Sequence, residues 1–208
     1  MSLFRRLGEK SWETPGAGAD APDPVTYRPP AAQVLMLVYF GVITILFGLV
    51  TSAYFMRMGM PGMGHGTLDW HPMPEPPLIW INTAVLLLAS LAWEAARIGV
   101  RRGESALVRP SLVTAGALGI LFLAGQLLLW SQFAARGYFL QSNPANAFFY
   151  MITTLHGLHL IGGLWFWGLA MRRSLGGGAA ALPIQLTAAY WHFLLLVWIL
   201  MLGLFVST

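Results

Sequence analysis

The sequence predicts an all-α fold: a polytopic membrane protein built as a bundle of five transmembrane helices. Of the 208 residues, 57% are hydrophobic and only 10% are charged, and the mean hydropathy is +0.65. This composition is typical of chains that pass several times through a bilayer. Five apolar runs are each long enough to cross a hydrocarbon core about 30 Å thick as a helix. A third observation, the uneven distribution of positive charge, predicts the orientation of the bundle.

Positive charge is concentrated on one side of the predicted spans. Two basic residues, Arg57 and Arg136, fall on one side, and ten fall on the side of the N-terminus. Those ten are Arg5, Arg6, Lys10, Arg28, Arg97, Arg101, Arg102, Arg109, Arg172 and Arg173. Because cytoplasmic loops carry the excess of Lys and Arg, the N-terminus is predicted to be cytoplasmic and the C-terminus external.

The isoelectric point, near 9.9, reflects the same basic residues in the loops. Such values are common in nucleic-acid-binding proteins, but the net charge here is only +4 and lies in short loops between apolar spans. No nucleic-acid partner is therefore expected.

The chain contains no cysteine. Disulfides, covalently attached c-type haem, iron–sulfur clusters and thiolate-bridged copper centres all require cysteine, so the sequence excludes each of them.

Each predicted span is an apolar run bounded by charges, prolines or glycines. The chain opens with a proline-rich polar tail over residues 1–33, which we expect to be extended and cytoplasmic. A Gly/Met/Pro-rich outer loop, 57–77, follows the first span, and a basic loop, 97–110, follows the second and closes on Pro110. An Asn-Pro turn separates the third span from the fourth, and a Gly/Ala loop, 172–183, precedes the fifth. The transmembrane domain, 34–206, thus comprises spans at about 34–56, 78–96, 112–133, 147–171 and 184–206.

Three histidines lie within predicted spans. The fourth span contains the run His156-Gly-Leu-His159, and the fifth contains His192 directly after Tyr190 and Trp191. The i,i+3 spacing places His156 and His159 on adjoining parts of one helix face. As haem or metal ligands these histidines would need open coordination and supporting groups, and three are too few for an oxygen-reducing haem–copper centre with a second haem. We therefore interpret them as packing residues that form hydrogen bonds across helices.

Glu94 is the only acidic residue within a predicted span. A carboxylate inside the membrane commonly marks a proton path. However, Glu94 lies at the cytoplasmic end of its span, three residues before Arg97, and this spacing predicts an interfacial ion pair between them.

The outer loop is rich in methionine and histidine. Thioethers and imidazoles suit Cu(I), which makes Met58, Met60, Met63 and His65 candidate copper ligands. The competing interpretation is a Gly/Met loop that packs against a partner.

Aromatic and basic residues near the span ends indicate the membrane interfaces. Tryptophans in such positions form interfacial belts; those read in this way are Trp80, Trp93, Trp130, Trp165 and Trp167. Arg172 and Arg173 follow the fourth span at the level expected for inner-leaflet head groups, so with Trp165 they are candidate phospholipid contacts.

Short sequence patterns occur in order along the five spans. They are Ala53-Tyr54…Arg57, Leu78…Asn82-Thr83…Leu87-Leu88-Ala89-Ser90, Leu118-Gly119…Phe122…Gln126, Phe148-Phe149…His156-Gly157-Leu158-His159 and Tyr190-Trp191-His192-Phe193…Trp198. Together, over about 34–206, they resemble subunit III of the haem-copper terminal oxidases in its five-helix bacterial form. The topology of that family, with the N-terminus inside, agrees with the charge distribution.

The resemblance implies an accessory subunit without redox centres in the bacterial plasma membrane. Such a subunit docks on the haem-copper catalytic subunit I, with subunit II, in a cytochrome c or quinol oxidase of the aerobic respiratory chain. The complex reduces O₂ to water and pumps protons, with its haem and copper in the partner subunits. The family's subunit III binds phospholipids in a cleft and supports proton uptake and oxygen access. The residues here that match its packing motifs are His156, His159, Tyr190, Trp191 and His192.

Three polar elements of the family pattern are absent. A membrane glutamate usually precedes the Ala-Tyr pair, where this chain has Ile43 and Thr44; a Glu-Tyr pair usually follows the third-helix glutamine, where it has Leu129 and Trp130. An aspartate usually follows Tyr-Trp-His-Phe, where it has Leu195. We therefore expect no buried carboxylate of this chain to take part in proton handling.

Other functions remain open from the sequence. The same fold could serve as the accessory protein of a nitric oxide reductase. A different class would be a free-standing haem- or metal-binding membrane enzyme using the three histidines. A transporter is disfavoured, because the spans lack paired broken helices and a central charged site.

Overall fold

The structure, a computed structural model, describes residues 30–59, 74–176 and 181–207. They form five helices, and within these ranges no strand occurs. The helices are α1 (Ala31–Gly59), α2 (Pro77–Arg102), α3 (Ser105–Ala135), α4 (Pro144–Leu175) and α5 (Ala181–Val206). Each is long and apolar enough to cross a membrane. The prediction of an all-α protein with five membrane spans is confirmed, whereas the sidedness of its termini stays a prediction from charge.

The chain divides into two units, Met1–Leu35 and Met36–Thr208. Of the first unit the structure describes only residues 30–35, at the start of α1. Most of the predicted tail therefore lies outside the described residues, but its last three positions, 31–33, are helical rather than extended.

The largest departure from the predicted boundaries lies between α2 and α3. The basic loop expected over 97–110 shrinks to Gly103 and Glu104. Gly103 adopts a left-handed conformation with φ of 71°, which glycine reaches without strain. Its N–H donates to the carbonyl of Val100, and the N–H of Glu104 donates to the carbonyl of Gly99 at 2.9 Å. This Schellman motif turns the chain within two residues, so the charged ends of both helices stay helical.

Pro110, expected to end the loop, lies inside α3. A proline in a helix removes one N–H, which here would have paired with the carbonyl of Ala106. Ala106 belongs to the first turn of α3 and is an exposed residue, so the lost bond lies at the exposed start of the helix. The helix therefore continues through the proline.

The core of Met36–Thr208 is formed by α2 to α5. Backbone packing is closest between α2 and α3, and α5 also packs on α2 and α4. In α1 only Ile43, Phe47 and Tyr54 are buried, and rings of this helix contact α4 and α5. Phe40 stacks on Phe193 of α5 at a centroid distance of 4.4 Å, and Tyr54 meets Phe148 of α4 edge-on at 5.5 Å. The first helix is thus an outer layer on α4 and α5.

Small residues on α3 admit two indoles from neighbouring helices. A Cβ added at Gly116 would overlap Trp167 of α4, and one added at Gly119 would overlap Trp191 of α5. Trp167 also donates its Nε1–H to the carbonyl of Leu112 at 2.7 Å. Close approach at glycine is a usual means of helix packing in membranes, and here it aligns α3 with α4 and α5.

Candidate functional site

The most polar contact between helices joins α2 to α5 through His192. Its Nδ1 forms a hydrogen bond with the hydroxyl of Ser90, and its Nε2 lies 3.1 Å from Oε2 of Glu94. Arg97 donates from Nη2 to the other carboxylate oxygen of Glu94, at 2.8 Å. We call Ser90, Glu94, Arg97 and His192 the Glu94 cluster. Its carboxylate is matched by a guanidinium, and both of its oxygens accept a hydrogen bond.

The sequence spacing explains how α2 contributes three members of the Glu94 cluster. Ser90, Glu94 and Arg97 recur at i, i+4 and i+7 and therefore share one helix face. The side chains of Glu94, Arg97 and His192 are 32%, 30% and 36% exposed, so the cluster reaches the surface of the chain. The i,i+3 spacing suggested the pairing of Glu94 with Arg97, but nothing in the sequence pointed to His192 as its second partner.

His159 is fixed by its own helix and by α5. Its Nδ1 lies 2.7 Å from the carbonyl oxygen of Leu155, so that nitrogen carries the hydrogen and donates it. Tyr190 donates its hydroxyl hydrogen to the carbonyl oxygen of His159 at 2.8 Å. The rings of Tyr39 and Phe47 from α1 flank the imidazole, at 6.3 and 5.9 Å between centroids. His159 is therefore half-buried and belongs to the surface against which α1 packs.

His156 lies at the centre of the bundle and is fully buried. Rings of Phe122 from α3 and Trp198 from α5 surround it, with centroids 6.0 and 5.2 Å away. Neither of its ring nitrogens has a hydrogen-bond partner among the described residues.

The expectation that all three histidines form hydrogen bonds across helices is thus wrong for two of them. His192 does so, His159 bonds to a carbonyl of its own helix, and His156 has no partner in the described part of the chain. The reason is rotational: α4 turns His156 towards apolar rings of the core and His159 towards α1.

Trp191 completes the packing motif on α5. It is fully buried and stacks on Trp93 of α2, with centroids 6.0 Å apart and an interplanar angle of 29°. The assignment of Trp93 to an interfacial belt was therefore wrong, because its indole is completely buried. Proximity to a span end does not show whether a side chain faces lipid or core.

Two tryptophan hydrogen bonds between helices had no clear signal in the sequence. Trp198 of α5 donates its Nε1–H to Oγ1 of Thr83 on α2 at 2.9 Å, and Trp130 of α3 donates to Oγ1 of Thr153 on α4 at 3.2 Å. A tryptophan and a threonine on separate spans are compatible with such bonds, but their pairing depends on the helix arrangement. These contacts add one hydrogen bond between α2 and α5 and one between α3 and α4.

The candidate lipid contacts share one face at the end of α4. Arg172 and Arg173 are exposed in its last turn, and Trp165 is 71% exposed. Trp165 precedes the arginines by seven and eight residues, a spacing that places all three on the same side of the helix. The face therefore carries an indole ring and, about two turns closer to the C-terminal end of α4, two cations.

The copper candidates fall mostly outside the described residues. Met58 is half-buried near the end of α1, whereas Met60, Met63 and His65 lie in the range that the structure does not describe. Within the described ranges, no three His, Cys, Asp or Glu side chains gather as a metal site would require.

Comparison with known proteins finds similarity to subunit 3 of respiratory oxidases. The sequence pattern of the family described as cytochrome c oxidase subunit III matches residues 33–207. A probable cytochrome c oxidase subunit 3 of Mycobacterium tuberculosis H37Rv is 27% identical over 180 residues, covering 83% of this chain and 85% of the relative. Cytochrome c oxidase subunit 3 of Thermostichus vulcanus is 27% identical over 183 residues, or 84% and 87% of the two chains. Cytochrome bo(3) ubiquinol oxidase subunit 3 of Pseudomonas aeruginosa is 24% identical over 158 residues, or 74% of each chain.

Proposed function

Because the chain belongs to the cytochrome c oxidase subunit III family, we propose that it docks on the catalytic subunit I of a proton-pumping terminal oxidase and stabilises it. The chain is accessory subunit III of a haem-copper oxidase, a multi-pass protein of a bacterial membrane and one component of an oxidase complex. The observation that carries the proposal is the family match, which covers all five helices without a break.

The contacts of the bundle support a structural role for this subunit. The motif side chains Tyr190, Trp191 and His192 each contact another helix rather than an open cavity. Such contacts stabilise a rigid bundle, which is what a non-redox docking subunit requires. Haem and copper belong to the partner subunits in this proposal, with subunit II beside subunit I.

A second part of the proposal concerns phospholipid. Trp165, Arg172 and Arg173 form an exposed face of one aromatic ring and two cations, a combination suited to the acyl region and the phosphate of an inner-leaflet lipid. A lipid held there would extend the apolar surface that this subunit presents to its partners.

We propose that support for proton uptake and oxygen access is indirect. In the described ranges the acidic residues are Glu75, Glu94 and Glu104, and the two outside the Glu94 cluster are exposed. Both oxygens of Glu94 are engaged by Arg97 and His192. The subunit would then act by holding subunit I and its lipids in place during turnover, rather than by passing protons through its own carboxylates.

Affinity purification of this chain from its native membrane in mild detergent tests the proposal. We expect a haem-bearing, histidine-rich membrane subunit to co-purify and the complex to consume O₂ but not nitric oxide. The chain separated from its partners should show no Soret band and no stoichiometric iron or copper. A haem spectrum of the separated chain would instead support a free-standing metal-binding enzyme, and nitric oxide consumption would support a reductase.

A further inference from the structure

Three polar side chains from three different helices are buried inside the bundle. They are Asn82 of α2, Gln126 of α3 and His156 of α4, and their exposed fractions are 3%, 3% and 0%. We call them the central polar layer.

Contacts along α3 link the three residues. A Cβ added at Gly125 would overlap the amide oxygen of Asn82, so the Asn82 side chain lies directly against α3 beside Gln126. Phe122 precedes Gln126 by one helical turn on the same face, and its ring meets that of His156 at 6.0 Å. Gln126 is therefore the neighbour of the α3 position that Asn82 contacts and lies one helical turn from the ring that meets His156.

A second set of contacts connects His156 of α4 to the neighbourhood of Asn82 on α2 through Trp198 of α5. The indole of Trp198 lies 5.2 Å from the ring of His156, and its Nε1–H donates to Oγ1 of Thr83, the residue after Asn82. Because its only N–H is used by Thr83, Trp198 cannot satisfy His156.

The central polar layer leaves five polar atoms without a hydrogen-bond partner in the described part of the chain. They are Nδ2 of Asn82, Nε2 and Oε1 of Gln126, and Nδ1 and Nε2 of His156. Buried polar atoms in native proteins are almost always paired with protein or ordered water. Lipid on the outside of the bundle offers no alternative partner. Five such atoms on three facing helices therefore indicate a ligand.

The chemistry of the five atoms selects the ligand. Two amide nitrogens donate, one amide oxygen accepts, and a neutral imidazole has one donor and one acceptor nitrogen. An anion would face the acceptors and a cation would face the donors, and neither finds a compensating charge among these three side chains. Water donates and accepts equally and is neutral. We propose that the central polar layer binds ordered water, with at least one molecule bridging Gln126 to Asn82 or His156.

The direct test is a cryo-electron microscopy map of the complete oxidase complex at a resolution that shows ordered water. We expect density within hydrogen-bond distance of Gln126 and of at least one other member of the layer. Direct hydrogen bonds among Asn82, Gln126 and His156 with no density between them would overturn the proposal. A coordinated ion in that place would also overturn it.

A matched pair of variants gives a second readout on the same complex. Gln126→Leu removes a polar group from the layer, whereas Gln132→Leu makes the same change on α3 outside it. The O–H stretching band of a confined water, identified by its shift in H₂¹⁸O, should be weakened or lost in Gln126→Leu and kept in Gln132→Leu. An identical spectrum in both variants would contradict the assignment. Should Gln126→Leu fail to assemble, the unmodified complex still decides, since both its map and its isotope-shifted band must show the water.

Discussion

The imidazole Nε2 of His192 lies 3.1 Å from Oε2 of Glu94, which joins two residues that are 98 positions apart in the sequence. The contact gives Glu94 a partner on a second helix. With Arg97 on its other oxygen, the carboxylate is held between α2 and α5 instead of pairing only within its own helix. The Glu94 cluster is thus a polar connection between two helices whose other contacts are largely apolar.

We predict that Glu94→Gln loosens the association of this chain with the oxidase. The amide keeps the shape of the side chain but weakens both charge-assisted bonds, and the loss should be about 1–2 kcal/mol because the group is partly exposed. Thermal unfolding of the assembled complex and retention of the chain through detergent washes measure it. Glu104→Gln is the matched control, since that side chain is exposed in the turn after α2. The initial rate of O₂ reduction should be unchanged in both variants; its collapse in an intact complex would refute a purely structural role.

A hydrophobic carbodiimide reacts with protonated carboxyl groups in apolar surroundings. We predict weak labelling of Glu94 at most, because Arg97 and His192 occupy both of its oxygens. No labelling is expected in α1, which contains no Asp or Glu. Mass spectrometry of the chain after treatment of membranes at neutral pH measures this. Arg97→Leu should increase labelling of Glu94, whereas stoichiometric labelling of the unmodified chain would mean that Glu94 is a proton-active group.

Gly119→Ala should destabilise the bundle by about 1–3 kcal/mol, as overpacking of a core usually does. The added methyl group would overlap the ring of Trp191, which is fully buried and cannot move into open space. Gly168→Ala is the control, because nothing lies within 4 Å of a Cβ at that position. The control should be neutral or slightly stabilising, in line with the higher helix propensity of alanine. Thermal unfolding of the purified complex compares the two, and equal midpoints would show that Trp191 does not rest on Gly119.

The double variant Arg172→Gln with Arg173→Gln should lose bound phospholipid. Removal of two cations near a lipid phosphate weakens binding by about 1 kcal/mol for each charge, or roughly thirtyfold together. Native mass spectrometry of the complex counts the lipids retained. Arg101→Gln with Arg102→Gln serves as the control, because that pair ends α2 without an exposed tryptophan two turns earlier. Equal lipid loss in both double variants would mean that positive charge alone retains lipid, without a specific face on α4.

The sequence alone was sufficient to predict the five membrane helices and the family. Each span is a local property, since an uncharged apolar run of sufficient length must form a helix inside a bilayer. The order of the motifs along those spans then indicated the family, which the match over 33–207 confirms. Helix ends were less predictable: α2 and α3 keep their charged ends helical because a two-residue turn at Gly103 connects them.

Only the tertiary structure decided which residues face the core and which of them meet. In α3, Gln126 is 3% exposed while its neighbours Leu127 and Leu128 are 61% and 52% exposed, which is the reverse of the pattern in soluble proteins. Lipid and core are both apolar, so hydrophobicity does not mark the inward face of a membrane helix. Rotation and register of the helices set that face. They therefore also determine the burial of Trp93, the position of the central polar layer and the pairing of His192 with Glu94.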